Sequence, residues 1–212
     1  MVIRDAFLET AAEARALLAS RDVSRQWNEP SVLDRLTIGE LAAHLARAVF
    51  TVETALATPL PDTATPTITA DEYYAHAVGL TRDLDDDLNR AIRDRSRDGA
   101  ADGPSALLQR LDEAITSVAT RFDARDVPPQ VAAFNGLVLD LDEYLVTRLV
   151  ELVVHLDDLA TSLGRPSPDV SPVARACVLG CLVGVARRRY GDIEVIRALA
   201  RAERACQVFP VL

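Results

Sequence analysis

Apolar residues recur at three- and four-residue spacings along most of the chain, a period that predicts amphipathic helices. The first two such segments cover about residues 4–20 and 37–57. Thr37 and Glu40 have the spacing of a capping box, in which both side chains accept hydrogen bonds from free backbone amides at a helix start. The pattern predicts further helices over about residues 71–90, 104–122, 140–163, 172–190 and 192–205.

The most apolar of these segments, residues 140–163, has clear signals at both ends. Asp140 and Glu143 predict a second capping box, and Gly164 predicts the end of the helix. Asp192 is predicted to cap the last helix, with its carboxylate accepting a hydrogen bond from a free backbone amide at the helix start.

Prolines and charged runs interrupt the helical pattern. Residues 22–35 and 58–69 are predicted to be loops, the second because it holds three prolines. Residues 93–103 are charged and contain glycine, so we expect this stretch to be flexible, and the sequence leaves open where the preceding helix ends. The proline pair within residues 127–135 favours an extended segment with one short strand.

These elements predict an all-α fold with an up-down four-helix bundle at its centre, because the chain has no repeat and no long alternating segment. We expect residues 1–165 to form the bundle. Residues 166–212 are expected to form a C-terminal helical extension of two helices packed on it, after a linker at residues 165–171.

Composition narrows the range of partners. The 212-residue chain has a formal net charge of −9 and a pI of about 4.8, which argues against nucleic acid or an anionic membrane as its main partner. No apolar run is long enough to span a membrane, and the start of the chain has no apolar leader. Three cysteines favour a cytoplasmic protein. All 23 basic residues are arginine, which is typical of GC-rich coding and predicts an actinobacterial source.

One stripe of the apolar 140–163 segment is polar. Arg148, Glu151, His155 and Asp158 follow one another at spacings of three, four and three, so all four lie on one helical face. Buried carboxylates and imidazoles must be paired or bound to a metal. Glu151 and His155 are one turn apart, so both side chains can point at a single ion.

A third ligand is available on the second predicted helix. His44 lies on or beside the apolar stripe of residues 37–57 and can face the bundle interior if the two helices are neighbours. Two imidazoles and one carboxylate form a three-ligand set with an open position, the pattern of catalytic zinc sites. The same donors also suit nickel, iron(II) or cobalt.

A structural interpretation competes with this one. Glu151 would pair with Arg148, and His155 with Asp158, as two ion pairs on the surface of a helix. In the functional interpretation, Asp158 orients His155 and Arg148 holds a substrate carboxylate.

Three segments resemble the metal-binding domain of the mycothiol-dependent maleylpyruvate isomerase family, within the DinB-like bundle superfamily. They are LTIGELAAHL at residues 36–45, YLVTRLVELVVHLDDLA at residues 144–160 and RYGDIEVIRAL at residues 189–199. The resemblance implies that His44, Glu151 and His155 bind a divalent metal, usually zinc, which activates mycothiol.

The resemblance implies a metal-dependent isomerase or transferase in which the thiol attacks an electrophilic small molecule. The chain differs from the isomerase in its C-terminal region. That enzyme has a separate C-terminal domain that contributes a functional arginine, whereas this chain is predicted to have two helices there. Two alternatives remain at this point: a thiol-independent, water-activating hydrolase, and a non-enzymatic bundle that acts by association. A homodimer, formed through an exposed apolar tail or helix, also stays open.

A few other residues are weaker candidates. His76 is a candidate acid or base, and Arg82 is a candidate for binding an anion of the cofactor or substrate. For both residues, a purely structural role is the more common one. Cys177 and Cys181 lie one turn apart on an apolar helix, where packing is a commoner role than redox chemistry.

Overall fold

A computed structural model describes residues 2–61, 66–77, 86–124, 127–204 and 211. Nine α-helices lie within these residues: α1 (Val2–Leu18), α2 (Arg21–Arg25), α3 (Ile38–Ala57), α4 (Ala70–Glu72), α5 (Asp87–Ala100), α6 (Gly103–Asp123), α7 (Leu141–Ser162), α8 (Pro172–Tyr190) and α9 (Asp192–Ala200). Two short strands, β1 (Gln130–Ala132) and β2 (Val138–Asp140), pair antiparallel. The fold is therefore all-α, as the sequence predicts.

Four long helices surround one core. Helices α1 and α3 each pack against both α6 and α7, while α5 packs against α3. Helix α8 lies on α7 and α1, and α9 packs against α8. The leucines of α7 explain its central position, since all six are almost fully buried: Leu141, Leu145, Leu149, Leu152, Leu156 and Leu159. No helix within the described residues is both long and apolar enough to cross a membrane.

The region after the predicted loop at residues 58–69 differs from the prediction of one helix over residues 71–90. The chain forms the single turn α4 and then a π-helical turn at Tyr73–Ala77, and α5 begins at Asp87. Helix α5 continues to Ala100 and so includes most of the stretch that the sequence predicts to be flexible. Its packing against α3 explains this, because Ser96 and Ala100 are buried there.

The capping box predicted at Thr37 forms as expected. The Thr37 hydroxyl accepts from the Glu40 amide, and the Glu40 carboxylate accepts from the Thr37 amide at 2.8 Å. The second predicted capping box is wrong: Asp140 makes no side-chain cap, and Glu143 instead accepts a hydrogen bond from the Ala70 amide at 2.7 Å. A tertiary contact with α4 has taken the carboxylate that the local pattern assigned to the cap.

The cap predicted at Asp192 is also wrong. Gly191 occupies the position before α9, and no side chain caps the helix. Asp192 is the first residue of α9 and accepts a hydrogen bond from Arg187 at 2.7 Å. The charged guanidinium nearby provides a stronger partner for this carboxylate than the backbone amides do.

Replacement by alanine is expected to have opposite effects on stability at Gly39 and at Gly180. A Cβ atom on Gly39 would lie 2.5 Å from Cε2 of Trp27, whereas a Cβ atom on Gly180 meets no atom within 4 Å. We expect Gly39→Ala to destabilise the protein by about 1–3 kcal/mol through overpacking. We expect Gly180→Ala to stabilise it by about 0.5–1 kcal/mol, because alanine favours the helix. Urea unfolding of both variants measures the two effects, and equal shifts would contradict the predicted contact with Trp27.

Candidate metal centre

Two neighbouring helices of the bundle bring the predicted ligands together. His44 lies on α3, which starts at the Thr37 capping box, and Glu151 and His155 lie one turn apart on α7. Because α3 and α7 pack directly against each other, the polar stripe of α7 faces His44. The three side chains are 10%, 25% and 17% exposed, respectively, so they are largely withdrawn from water.

The donor atoms have a spacing that suits a metal. One nitrogen or oxygen from each of His44, Glu151 and His155 lies within 4.8 Å of the others. The Glu151 Oε2 atom is 3.7 Å from His44 Nε2 and 3.5 Å from His155 Nε2. Bonds of about 2.0–2.2 Å in a tetrahedral site place neighbouring donors roughly 3.3–3.6 Å apart. The two distances to Glu151 therefore fit a small divalent cation.

Glu151 presents one oxygen to the two imidazoles and the other to a tyrosine. Tyr74, in the π-helical turn, lies with its hydroxyl 2.7 Å from Glu151 Oε1 and 2.9 Å from the Thr147 carbonyl oxygen. A hydroxyl has one proton to donate, and the charged carboxylate is the stronger acceptor. Tyr74 thus fixes the orientation of Glu151 and leaves Oε2 directed at the histidines.

Each histidine is held through its Nδ1 atom. His155 Nδ1 lies 2.9 Å from Asp158 Oδ2 and donates to it. His44 Nδ1 lies 3.3 Å from Ser96 Oγ, whose own proton is donated to the Ile92 carbonyl at 2.9 Å. The serine oxygen can therefore accept the Nδ1 proton of His44, and in that tautomer Nε2 carries the lone pair that a metal ligand needs. Both imidazoles consequently direct Nε2 towards Glu151, as metal-ligating histidines do when a neighbour fixes the other nitrogen.

Burial and charge set the protonation of the three ligands. Burial opposes the charge on Glu151, but the contacts from His155 and His44 and the charge of Arg148 outweigh it, so the pKa of this carboxyl lies well below its usual range. Burial lowers the pKa of His44. Burial also disfavours charge on His155, but Asp158 and Glu151 outweigh it and raise its pKa to about 9. Glu151 and His44 are thus ready to act as ligands, and His155 holds a proton that a cation would displace.

The centre lies in the wall of a cavity of about 750 Å³. This volume falls in the range of roughly 300–1,000 Å³ that is typical of small-molecule sites. Much of the remaining wall is apolar, from Leu36, Leu88, Ile92, Phe134 and Val154 among others. The cavity is therefore large enough for a small organic molecule beside the three donor atoms.

The other residues predicted from the sequence have different placements. Arg148 lines the cavity and is 9% exposed, and no ion pair within 4 Å joins it to Glu151. Asp158 contacts His155, as described above. His76 belongs to the π-helical turn, but its side chain lies outside the described part of the structure, and Arg82 lies wholly outside it.

The two cysteines of α8 have no role in this centre. Cys181 is buried, and burial raises its pKa to about 12. Burial also raises the pKa of Cys177. Both thiols therefore stay protonated near neutral pH, which favours packing over redox chemistry.

Three residues around the centre were not predicted from the sequence. Tyr74 and Ser96 lie on separate elements far along the chain, so no spacing connects them to the ligands. Arg47 also lines the cavity. It lies one turn after His44 on α3, and the same three-residue spacing that singled out the stripe of α7 would have identified it.

Comparison with known families agrees with this geometry. The family model described as the mycothiol maleylpyruvate isomerase N-terminal domain matches residues 7–160, a span that contains all three candidate ligands. No curated protein and no solved structure matches the chain significantly. Because the matched span covers most of the chain, the protein belongs to the mycothiol maleylpyruvate isomerase N-terminal domain family.

Proposed function

We propose that this protein is an enzyme in which a divalent cation, held by His44, Glu151 and His155, activates a low-molecular-weight thiol for attack on an electrophilic small molecule. The observation that carries the proposal is the convergence of three donor atoms within 4.8 Å at the wall of the cavity. Zinc is the preferred ion for two imidazoles and a carboxylate.

A bound cation of this kind lowers the pKa of a thiol or water in its open position and so supplies a nucleophile near neutral pH. The protein residues keep the position open. Three side chains act as ligands, and Tyr74 and Asp158 prevent Glu151 and His155 from rotating away. Because these contacts exist before any ligand arrives, little reorganisation is needed during the reaction.

A thiol is favoured over water as the nucleophile for two reasons. The family to which the chain belongs is named after an isomerase that uses the thiol mycothiol. The cavity of about 750 Å³ also exceeds what a single water molecule needs, and its apolar wall suits an organic thiol and its acceptor. The reaction class is therefore transfer to, or isomerisation of, an electrophilic substrate.

The first test is metal content, measured by mass spectrometry on untagged protein. We expect about one divalent ion per chain in the wild type, as a three-ligand site implies, and none in His155→Ala. The second test follows mycothiol consumption with monochlorobimane. In that reaction a sulfur–carbon bond forms, the carbon–chlorine bond breaks, chloride leaves and the thiol proton passes to the buffer.

The comparison of three samples decides between the candidates. Turnover by the zinc-loaded protein, but not by metal-free protein or His155→Ala, would support the proposal. One bound metal without thiol-dependent turnover, even with other thiols such as glutathione, would reject the thiol and leave the hydrolase. Absence of metal after zinc is offered and the excess removed would reject the metal centre itself.

Asp158 and its neighbour Asp157 provide a matched test of how His155 is oriented. Asp158 accepts from His155, whereas Asp157 is exposed and accepts from Ser167. Loss of such a supporting carboxylate typically lowers metal affinity by about 10–100-fold. We therefore expect Asp158→Asn to weaken zinc binding to this extent and Asp157→Asn to leave it unchanged, as measured by competition with a chromogenic chelator. Equal affinities for the two variants would contradict the orienting role.

A further inference from the structure

Arginine side chains line the same cavity as the candidate metal centre. Among the described residues, Arg47, Arg95 and Arg148 line the cavity on the cationic side, and Asp34 and Glu151 contribute carboxylates. The proposed function uses none of these arginines. An excess of cations in a partly closed cavity attracts anions.

Arg148 is the most deeply placed of these cations. Its side chain is 9% exposed, its Nε atom donates to Thr147 Oγ1 at 3.0 Å, and its guanidinium carbon lies 5.3 Å from the centre of the Tyr144 ring. Among the described residues, no carboxylate oxygen lies within 4 Å of it. A buried charge of this kind ordinarily requires a partner of opposite sign.

Arg47 lies in the same environment. It is half-buried, lines the cavity, and makes no ion pair with a carboxylate in the part of the chain that the structure describes. Burial lowers its pKa, and the charges of Arg95 and Arg148 lower it further, while Glu151 opposes them. The charge on Arg47 is therefore destabilised by its cationic neighbours, and an anion placed between Arg47 and Arg148 would relieve this repulsion.

The carboxylate of Glu151 does not meet this need. One of its oxygens accepts from Tyr74 at 2.7 Å, and the other faces the two histidines of the candidate metal centre. Its single negative charge is therefore already shared, and no ion pair within 4 Å joins this carboxylate to Arg47 or Arg148, two residues that the structure describes.

We infer that Arg47 and Arg148 form an anion-binding subsite that holds the oxyanion head group of a small organic ligand beside the metal centre. Guanidinium groups bind planar oxyanions through paired hydrogen bonds, which suits a carboxylate. The apolar wall at Leu88, Ile92 and Phe134 would take the hydrocarbon part of the same molecule. The inference deepens the proposed function, on which its catalytic meaning rests, by naming the charge class of the substrate.

The test compares benzoate with benzamide, its neutral analogue of similar shape, by calorimetry at low ionic strength. Each titration is run on the full-length protein loaded with zinc and again after chelation of the metal. We expect benzoate to bind at least about tenfold more tightly than benzamide in both states, as expected of one charge-assisted contact.

Three variants locate the source of that preference. Arg47→Gln and Arg148→Gln are expected to reduce benzoate affinity about tenfold and to leave benzamide affinity unchanged. Arg21→Gln removes the same charge from an exposed residue that does not line the cavity, and serves as the control. Arg47 is only half-buried, so its variant keeps the test valid if Arg148→Gln fails to fold.

Two results would overturn the inference. Benzoate and benzamide could bind equally well, or benzoate could bind only to the zinc-loaded protein without any effect of Arg47→Gln, which would indicate direct coordination of the metal. The chelated samples need no metal, so the subsite can be established even if the proposed metal-dependent reaction is rejected. Conversely, thiol-dependent turnover without an arginine-dependent preference for benzoate would reject the subsite alone.

Discussion

Replacing Glu151 by glutamine is expected to abolish metal binding, from about one divalent ion per chain to none, because the amide lacks the charge that the centre requires. Glu151 Oε2 lies between the Nε2 atoms of His44 and His155, at 3.7 Å and 3.5 Å. It is the one anionic donor of the three. We expect the loss of affinity to exceed the roughly 10–100-fold effect of losing an orienting group.

Zinc-dependent stabilisation gives a second readout of the same prediction. A ligand at 100 times its dissociation constant stabilises the folded state by about 2.7 kcal/mol. Wild-type protein should therefore require more urea for unfolding when zinc is present, whereas Glu151→Gln should unfold at the same urea concentration with and without zinc. Mass spectrometry of the purified proteins measures the bound metal directly.

Glu113→Gln is the matched control, since Glu113 is exposed on α6 and accepts a hydrogen bond from Gln109. It makes the same chemical change far from the centre and should keep the metal and the stabilisation by zinc. Retention of one metal ion by Glu151→Gln would reject Glu151 as a ligand, whatever the result for His155→Ala.

The second large effect is expected in the core, where Leu152→Ala should destabilise the protein by about 2–5 kcal/mol. Leu152 follows Glu151 on α7 but is fully buried. Truncation removes its apolar contacts and leaves a cavity that the surrounding helices can fill only in part. The functional face and the packing face of α7 thus meet at adjacent residues.

Urea unfolding of the metal-free proteins measures this effect without a contribution from bound zinc. Leu179→Ala is the control, because Leu179 is 63% exposed on α8 and its truncation should change stability by no more than about 0.5 kcal/mol. A loss below about 1 kcal/mol in Leu152→Ala would contradict the packing of α7 at the centre of the bundle. The folded Leu152→Ala variant should still bind zinc, because Glu151 and His155 project from other faces of α7 and His44 lies on α3.

The orientation of the ligands depends on residues from four parts of the chain. Tyr74 belongs to the π-helical turn, Ser96 to α5, Asp158 to α7 and Thr37 to the start of α3. Tyr74, Ser96 and Asp158 each contact a ligand side chain directly, and Thr37 caps the helix that carries His44. The arrangement is therefore already formed before a cation binds, which reduces the conformational cost of binding.

The sequence by itself determined the helical class of the fold and the three candidate ligands. Helix periodicity is local, so the spacing of apolar residues identified the long helices, and the four-residue spacing of Glu151 and His155 placed both on one face. His44 could be selected because few histidines exist and this one lies beside an apolar stripe. The capping box at Thr37 was also predictable, because its hydrogen bonds join residues only three positions apart.

The tertiary structure alone decided which elements meet. The packing of α3 against α7, the contact of Tyr74 with Glu151 and the pairing of Glu143 with Ala70 join residues more than 70 positions apart. Such contacts depend on how the whole bundle buries its apolar surface, which no local spacing specifies. For the same reason, the sequence placed Arg148 on a polar stripe, but only the structure separates it from Glu151 and exposes it to the cavity.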